Sequence, residues 1–261
     1  MNILLPFLAI LPGLVISFLI FKADRFEKEP KWLMAAAFAL GALITYPTML
    51  AEGLAANLEW EESGNFFKIF FFAVIFIGLI EEFFKFICLA LPYFRKEFNE
   101  PLDGIVYAVL IAMGFATLEN VIYAYQYGLQ TTILRAFTAV PAHGSFAVIM
   151  GYYAGLSKID KANQVKLLLT GLGLAAFLHG LYDFFIIQPY AEWLMPFATL
   201  ILILSLYLSY KMIQKLQATS PFNPLNKVTE APEELTKVAA AASLPEYNDV
   251  LDAVVKDMEE E

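Results

Sequence analysis

The sequence predicts an all-α membrane protein, a polytopic bundle of about seven transmembrane helices. Of its 261 residues, 59% are hydrophobic and only 16% are charged, whereas a soluble domain has about a quarter charged residues. The apolar residues lie in unbroken stretches of roughly 18 to 25 residues, the length that crosses a hydrocarbon layer about 30 Å thick. One cysteine excludes a disulfide framework, and a net charge of −9 argues against a nucleic-acid partner.

Seven apolar runs are candidate transmembrane helices, and short polar loops separate them. They lie near residues 3–21, 32–51, 66–91, 102–125, 131–156, 164–187 and 193–210. None shows the alternation over about ten residues that marks a barrel strand. The first run lacks the basic start and the cleavage site of a signal peptide, so we expect a retained helix, bent near Pro12 and Gly13.

The charges in the loops predict the orientation of the chain. Lysines and arginines concentrate in loops 22–31, 92–101 and 157–166. Loop 52–65 has no lysine or arginine and contains four glutamates, Glu52, Glu59, Glu61 and Glu62. Because cytoplasmic loops carry the excess of basic residues, we predict that the amino terminus lies outside and the carboxyl terminus in the cytoplasm.

The composition changes after residue 210, which predicts two regions. Residues 1–210 are predicted to form a membrane-embedded helical domain with its functional core at 66–187, and residues 211–261 a cytoplasmic acidic tail. The tail contains five lysines against ten acidic residues, so we expect it to be partly disordered. A weak amphipathic pattern between Tyr247 and Met258 allows one short helix there.

Ionisable side chains interrupt four of the seven apolar runs. They are Glu81, Glu82, Lys85, Glu119, Arg135, His143, His179 and Asp183. A charge at bilayer depth costs about 2.5–3.5 kcal/mol, so such residues normally face the interior of a bundle or a wet cavity. We therefore predict that most of them share one site, whereas Arg135 is expected to extend to the membrane interface.

The spacing of these residues places them on common helical faces. Lys85 follows Glu81 by four residues and Glu82 by three, and Asp183 follows His179 by four, so each pair can interact on one face. Glycine and alanine recur at four-residue intervals on the same faces. Such stripes let membrane helices approach closely, which favours a shared site.

The residue types suit hydrolysis without a covalent intermediate. Two adjacent carboxylates in a low-dielectric cavity do not both ionise freely, so one can take a proton from water as a general base. A nearby imidazole can donate a hydrogen bond to a developing oxyanion. We predict no cofactor, although a zinc ion bound by His143, His179 and either Glu81 or Glu119 remains an alternative.

Four short motifs stand in order on consecutive predicted helices. They are EEFFK at 81–85, FATLE at 115–119, a single histidine at 143, and HGLYD at 179–183. Together they resemble the PrsW family of glutamic-type intramembrane proteases, within the wider group of the CAAX prenyl endopeptidases and Abi proteins. The resemblance covers about residues 66–187.

The resemblance implies a catalytic set, carried over by position. It consists of Glu81, Glu82, Glu119, His143, His179 and Asp183, with Lys85 and Asn120 in support. Glu81 would activate the water, and His179 with Asp183 would stabilise the oxyanion. Glu119 stands where the prenyl endopeptidases have a histidine, which argues against cleavage of prenylated proteins.

The resemblance also implies a cellular location and a substrate. It indicates a multi-pass protein of the bacterial inner membrane that makes the first cut in a single-pass, membrane-anchored anti-sigma factor. The residues alone leave two other functions open. A proton-coupled transporter or channel would use the same buried groups as a proton relay, and a non-catalytic scaffold would bind a partner helix through the small-residue stripes.

Overall fold

The computed structural model describes residues 4–61, 63–190 and 192–229 of the chain. This part is helical and contains no strand, which confirms the predicted all-α membrane fold. The chain divides into two compact units, Met1–Ser220 and Pro221–Glu261. The amphipathic pattern between Tyr247 and Met258 lies outside the described residues.

The helices are numbered in chain order. They are α1 Leu4–Ala23, α2 Lys31–Ala56, α3 Phe66–Phe71, α4 Ile80–Tyr93, α5 Pro101–Phe137, α6 Ala139–Ile159, α7 Gln164–Ile187, α8 Pro196–Ala218 and α9 Pro224–Thr229. A π-helical stretch, Phe72–Leu79, joins α3 to α4. Helix α2 extends five residues beyond its predicted end, and α8 eight residues beyond its own.

Five helical segments of the described chain are long and apolar enough to cross a membrane. They are Leu5–Ala23, Lys31–Ala56, Pro101–Ile159, Gln164–Ile187 and Glu192–Ala218. The segment that begins at Pro101 reverses its direction at Gly128, where φ is +79°, a value that glycine adopts readily. Arg135 consequently contacts Asn120, fifteen residues earlier, although a straight helix would separate them by about 22 Å.

Close contact between backbones brings the helices of the core together. A Cβ atom added to Gly78 would lie 2.5 Å from the carbonyl oxygen of Ala176 and from the amide nitrogen of Gly180. One added to Gly104 in α5 would lie 2.3 Å from the carbonyl oxygen of Gly151 in α6. Glycine is therefore required where these helices cross, and the polar residues on the same faces are drawn together.

The loop between α1 and α2 packs against the first turns of α5 through buried acidic residues. Asp24, Glu29 and Asp103 are all buried, and the hydroxyl of Tyr107 donates a hydrogen bond to Glu29. Burial raises the pKa of Glu29 to about 7 and also raises the pKa of Asp24. Within α5, Asp103 of this acidic group lies sixteen residues before Glu119, about 24 Å away along the helix.

Candidate active site

The residues that the sequence singled out meet in the interior of the bundle. Helix α4 contributes Glu81, Glu82 and Lys85, and the neighbouring helices contribute Glu119, Arg135, His143, His179 and Asp183. The π-helical stretch immediately before α4 rotates the following turn relative to a regular helix, because each π turn holds an additional residue. Glu81 and Glu82 are thereby both buried.

The ammonium group of Lys85 lies at the centre of this cluster. Its Nζ atom is 2.9 Å from Oε2 of Glu81 and 2.8 Å from Oε1 of Glu82. The same atom lies 3.1 Å from Nδ1 of His143 and 4.2 Å from the ring centre of Phe115. One lysine therefore holds both carboxylates and one imidazole in a fixed arrangement.

The contacts of His143 determine its tautomer. An ammonium group has no acceptor, so Lys85 donates to Nδ1 of His143, and that nitrogen carries no hydrogen. The hydrogen of the neutral ring then lies on Nε2, which is 3.0 Å from Oε2 of Glu119. His143 therefore accepts from α4 and donates to α5.

His179 lies between carboxylates on two helices. Its Nδ1 atom is 2.8 Å from Oε1 of Glu82, and its Nε2 atom is 3.3 Å from Oδ2 of Asp183 and 3.8 Å from Oε2 of Glu81. The ring stacks on Phe146, with the ring centres 5.3 Å apart. These contacts at both nitrogens fix the plane of the imidazole, and Asp183 supplies one of them.

Arg135 belongs to the site, contrary to the expectation that it would extend to the interface. Its guanidinium lies 2.8 Å from Oε2 of Glu119, and its Nε donates to the side-chain oxygen of Asn120 at 3.2 Å. Asn120 in turn donates to the carbonyl oxygen of Ala9 in α1. The reversal at Gly128 explains the difference, since it folds the segment that carries Arg135 back along α5.

Exposure within the cluster increases towards one edge. The side chains of Glu81, Glu82, Lys85, His143 and His179 are at most 5% exposed. The side chain of Asp183 is 20% exposed, that of Arg135 is 15% and that of Glu119 is 11%. The cluster is therefore most accessible at the edge formed by Asp183, Arg135 and Glu119.

Glu52 is an acidic residue near this site that the sequence analysis assigned to a loop. Because α2 extends to Ala56, Glu52 lies within that helix, close enough to Glu81 and Glu119 for its charge to interact with theirs. Its Oε1 atom is buried and accepts no hydrogen bond from the described residues. The buried Thr45 and Thr48 precede it at helical spacing, a polar stripe that would have revealed it.

The cluster also fits a divalent metal ion by its donor atoms. One ligand atom from each of Glu81, Glu82, His143 and His179 lies within 4.8 Å of the others, and two carboxylates with two imidazoles form a typical zinc donor set. Asp183 and Glu119 contact the histidines as outer carboxylates do in zinc sites. Lys85 contacts three of the four ligands, so its ammonium would have to withdraw.

Glu119 does not belong to that group of four ligands. It contacts Nε2 of His143, the nitrogen on the far side of the ring from Lys85 and Glu81. Of the two glutamates considered with the histidines as zinc ligands, Glu81 therefore has the suitable position. Glu119 is placed to orient His143 through a hydrogen bond.

Comparison with known proteins identifies the family. The model of a family described as "PrsW family intramembrane metalloprotease" matches residues 29–210. The chain belongs to the PrsW family. It is 37% identical to the protease PrsW of Oceanobacillus iheyensis over 202 residues, which cover 76% of this chain and 91% of that protein.

Other PrsW relatives match over a similar length. The protease PrsW of Bacillus subtilis is 35% identical over 188 residues, which cover 71% of this chain and 83% of that protein. That of Clostridioides difficile is 35% identical over 191 residues, with 70% and 79% covered. No solved structure matches the chain. As a PrsW-family intramembrane protease, the chain is a multi-pass protein of the bacterial inner membrane.

Proposed function

We propose that this PrsW protein is an intramembrane endopeptidase that hydrolyses a peptide bond with a water molecule activated by Glu81. The observation that supports this most directly is the convergence of Glu81, Glu82, His143 and His179 from three helices, with ligand atoms within 4.8 Å of one another. A hydrolase needs a base and a polarising group close to the same water, and this cluster provides both types of group.

Glu81 suits the role of base better than Glu82. Glu82 contacts both Lys85 and Nδ1 of His179, at 2.8 Å each. Glu81 has one such close partner, Lys85, and both imidazoles lie farther away, at 3.8 Å. Its carboxylate is therefore freer to accept a proton from water and to return it to the leaving amine.

The remaining residues would position these groups. His179, oriented by Asp183 and Glu82, would donate a hydrogen bond to the oxyanion that forms at the scissile carbonyl. Lys85 would keep the glutamates in place, and Glu119 would orient His143. A metal ion, when bound by Glu81, Glu82, His143 and His179, would supply Lewis-acid polarisation of the carbonyl or of the water.

We infer that the substrate is a single-pass membrane protein similar to an anti-sigma factor, which this protease would cut first. The resemblance of the four motifs to the PrsW family supports this substrate class. The burial of the catalytic cluster among helices long and apolar enough to cross a membrane also supports a substrate segment that lies within the bilayer.

The test is co-expression with a tagged anti-sigma factor from the same genome, followed by detection of the cleaved fragment. We expect Glu81→Gln to reduce cleavage about 100-fold or more, since positioned acid–base groups contribute about 10²–10⁴ to the rate. Glu61→Gln, an exposed loop glutamate, is the matched control and should cleave normally. Undiminished cleavage by Glu81→Gln would contradict the proposal that Glu81 is the base.

The same assay separates the two ways of activating water. If a metal ion takes part, a chelator should abolish cleavage by the wild-type protein, and added zinc should restore it. If Glu81 acts without a metal ion, the chelator should leave cleavage unchanged.

A further inference from the structure

A second group of carboxylates lies at the start of α5, where the loop charges predict the cytoplasm. We call it the loop cluster, and it consists of Asp24, Glu27, Glu29 and Asp103. Oxygen atoms of Glu27, Glu29 and Asp103 lie within 4.8 Å of one another. The exposed fraction is 0% for Asp24, 2% for Glu29 and 0% for Asp103.

Each buried carboxylate of the loop cluster uses one oxygen for hydrogen bonds from the protein. Oδ2 of Asp103 accepts from the backbone amides of Asn99 and Glu100, at 2.7 and 2.8 Å. Oδ2 of Asp24 accepts from the amide of Glu29 at 3.2 Å, and Oε2 of Glu29 accepts from Tyr107. The fold therefore fixes the position of all three groups.

The remaining oxygens of the loop cluster face one another and have few donors from the rest of the protein. A side-chain hydrogen bond joins Glu29 and Asp103, so one of the two keeps a proton that a bound cation would displace. Oδ1 of Asp24 and Oε2 of Glu27 are buried and accept no hydrogen bond from the described residues. Within this part of the chain, no lysine, arginine or histidine forms an ion pair with the loop cluster. The nearest ammonium is that of Lys28, which donates to the backbone carbonyl oxygen of Asp24 and interacts with its carboxylate through charge. Burying several carboxyl groups side by side is costly when no cation lies between them.

We propose that the loop cluster binds a hard divalent cation, Ca²⁺ or Mg²⁺, through Glu27, Glu29 and Asp103, with Asp24 beside them. Carboxylate oxygens are the preferred ligands of both ions. The bound cation links the α1–α2 loop to the start of α5, and it is separate from the catalytic cluster, whose donors include two histidines. Glu27 is less buried than Glu29 and Asp103, so the ion would enter the site on its side.

The test uses the full-length protein, purified in detergent and stripped with a chelator. Calcium and magnesium are titrated separately while binding is measured by calorimetry and the melting temperature is recorded. We expect one of the two ions to bind with one equivalent per chain and to raise Tm by about 5 to 10 °C at a hundredfold excess over Kd. The ion that binds and raises Tm in this way is the ion for which the loop cluster is selective.

Variants assign the binding to the loop cluster. Glu27→Gln and Glu29→Gln should each weaken binding at least tenfold, and Glu27→Gln remains informative if Glu29→Gln fails to fold. Glu81→Gln, in the catalytic cluster, should bind the ion like the wild-type protein. The proposal is overturned if neither ion binds, or if Glu81→Gln abolishes binding while Glu27→Gln and Glu29→Gln do not.

Discussion

Arg135 and Glu119 show how single residues stabilise charge inside this bundle. Their side chains are only 15% and 11% exposed, so each would be costly to bury alone. The guanidinium also packs over the ring of Tyr123, 3.8 Å from its centre. The pair therefore holds Glu119 in place, and Glu119 in turn holds His143.

We predict that Arg135→Met lowers the free energy of unfolding by about 2 to 3 kcal/mol. Removing one partner of a buried pair costs about 3 to 5 kcal/mol, and the partial exposure of this pair reduces that value. Thermal unfolding in detergent measures the change. The double variant Arg135→Met/Glu119→Gln should recover part of the loss, because no unpaired charge is left.

Arg95→Met is the matched control for this experiment. Arg95 pairs with Glu97 at 3.7 Å, and its side chain is 42% exposed, so its loss should cost at most about 1 kcal/mol. An equal loss of stability in both variants would contradict the role assigned to the buried pair.

The residues of the site were more predictable than the path of the chain that brings Arg135 to it. Glu81, Glu82, His143 and His179 could be predicted because buried charge is costly and therefore stands out within an apolar run. The position of Arg135 depends on where the chain reverses its direction. A single glycine at 128 is not enough to predict that reversal from the sequence. The hydropathy pattern did not show that α2 continues to Ala56 and therefore includes Glu52.

Among the helices, the crossing of the π-helical stretch with α7 positions the groups of the candidate active site. Gly78 and Gly180 lie at this crossing, with backbone atoms too close to admit a Cβ atom on either residue. The glutamate pair follows Gly78 by one turn, and His179 immediately precedes Gly180. The distance between Glu81 and His179 is therefore set by this contact.

We predict that Gly78→Ala reduces proteolysis about 100-fold. The new methyl group would meet backbone atoms at 2.5 Å on α7, so the helices must separate, and a displacement of about 1 Å in an active site costs about 10² in rate. The fragment assay described above measures it, on protein levels matched by immunoblot.

Gly173→Ala, on the same helix α7, controls for the change of residue type. An added Cβ atom at Gly173 has no neighbour within 4 Å, so this variant should retain wild-type activity. A similar loss of activity in both variants would show that glycine acts here through the flexibility of the helix. It would contradict the explanation by close packing at Gly78.

The small-residue stripes indicated that these helices approach closely but did not single out Gly180, and the π-helical stretch could not be foreseen. Glycine spacing in the sequence indicates which helical face approaches a neighbour, because only small side chains allow it. A change from α to π geometry depends on the fit against α7, and Phe72–Leu79 has the composition of any apolar helix. Its effect on the direction of Glu81 and Glu82 is therefore a property of the assembled bundle.

For the whole molecule, the loop charges predict an external amino terminus and a cytoplasmic carboxyl terminus. Fusion of a fluorescent protein after Ser220 should give fluorescent cells, since such a reporter folds in the cytoplasm. Alkaline phosphatase fused within loop 52–65 should be active, because that enzyme requires the periplasm. The reverse pattern of reporter activity would invert the proposed orientation, and with it the cytoplasmic location of the loop cluster.

The concentration of charge on α4 affects how the chain is made. Residues 66–93 are absent from the five segments that could cross a membrane on their own composition, and the histidines and Arg135 that contact Glu81, Glu82 and Glu119 are synthesised later. Three charged side chains on α4 would each cost about 2.5–3.5 kcal/mol in lipid. We therefore expect the nascent chain to hold this segment at the translocon until α6 and α7 emerge from the ribosome.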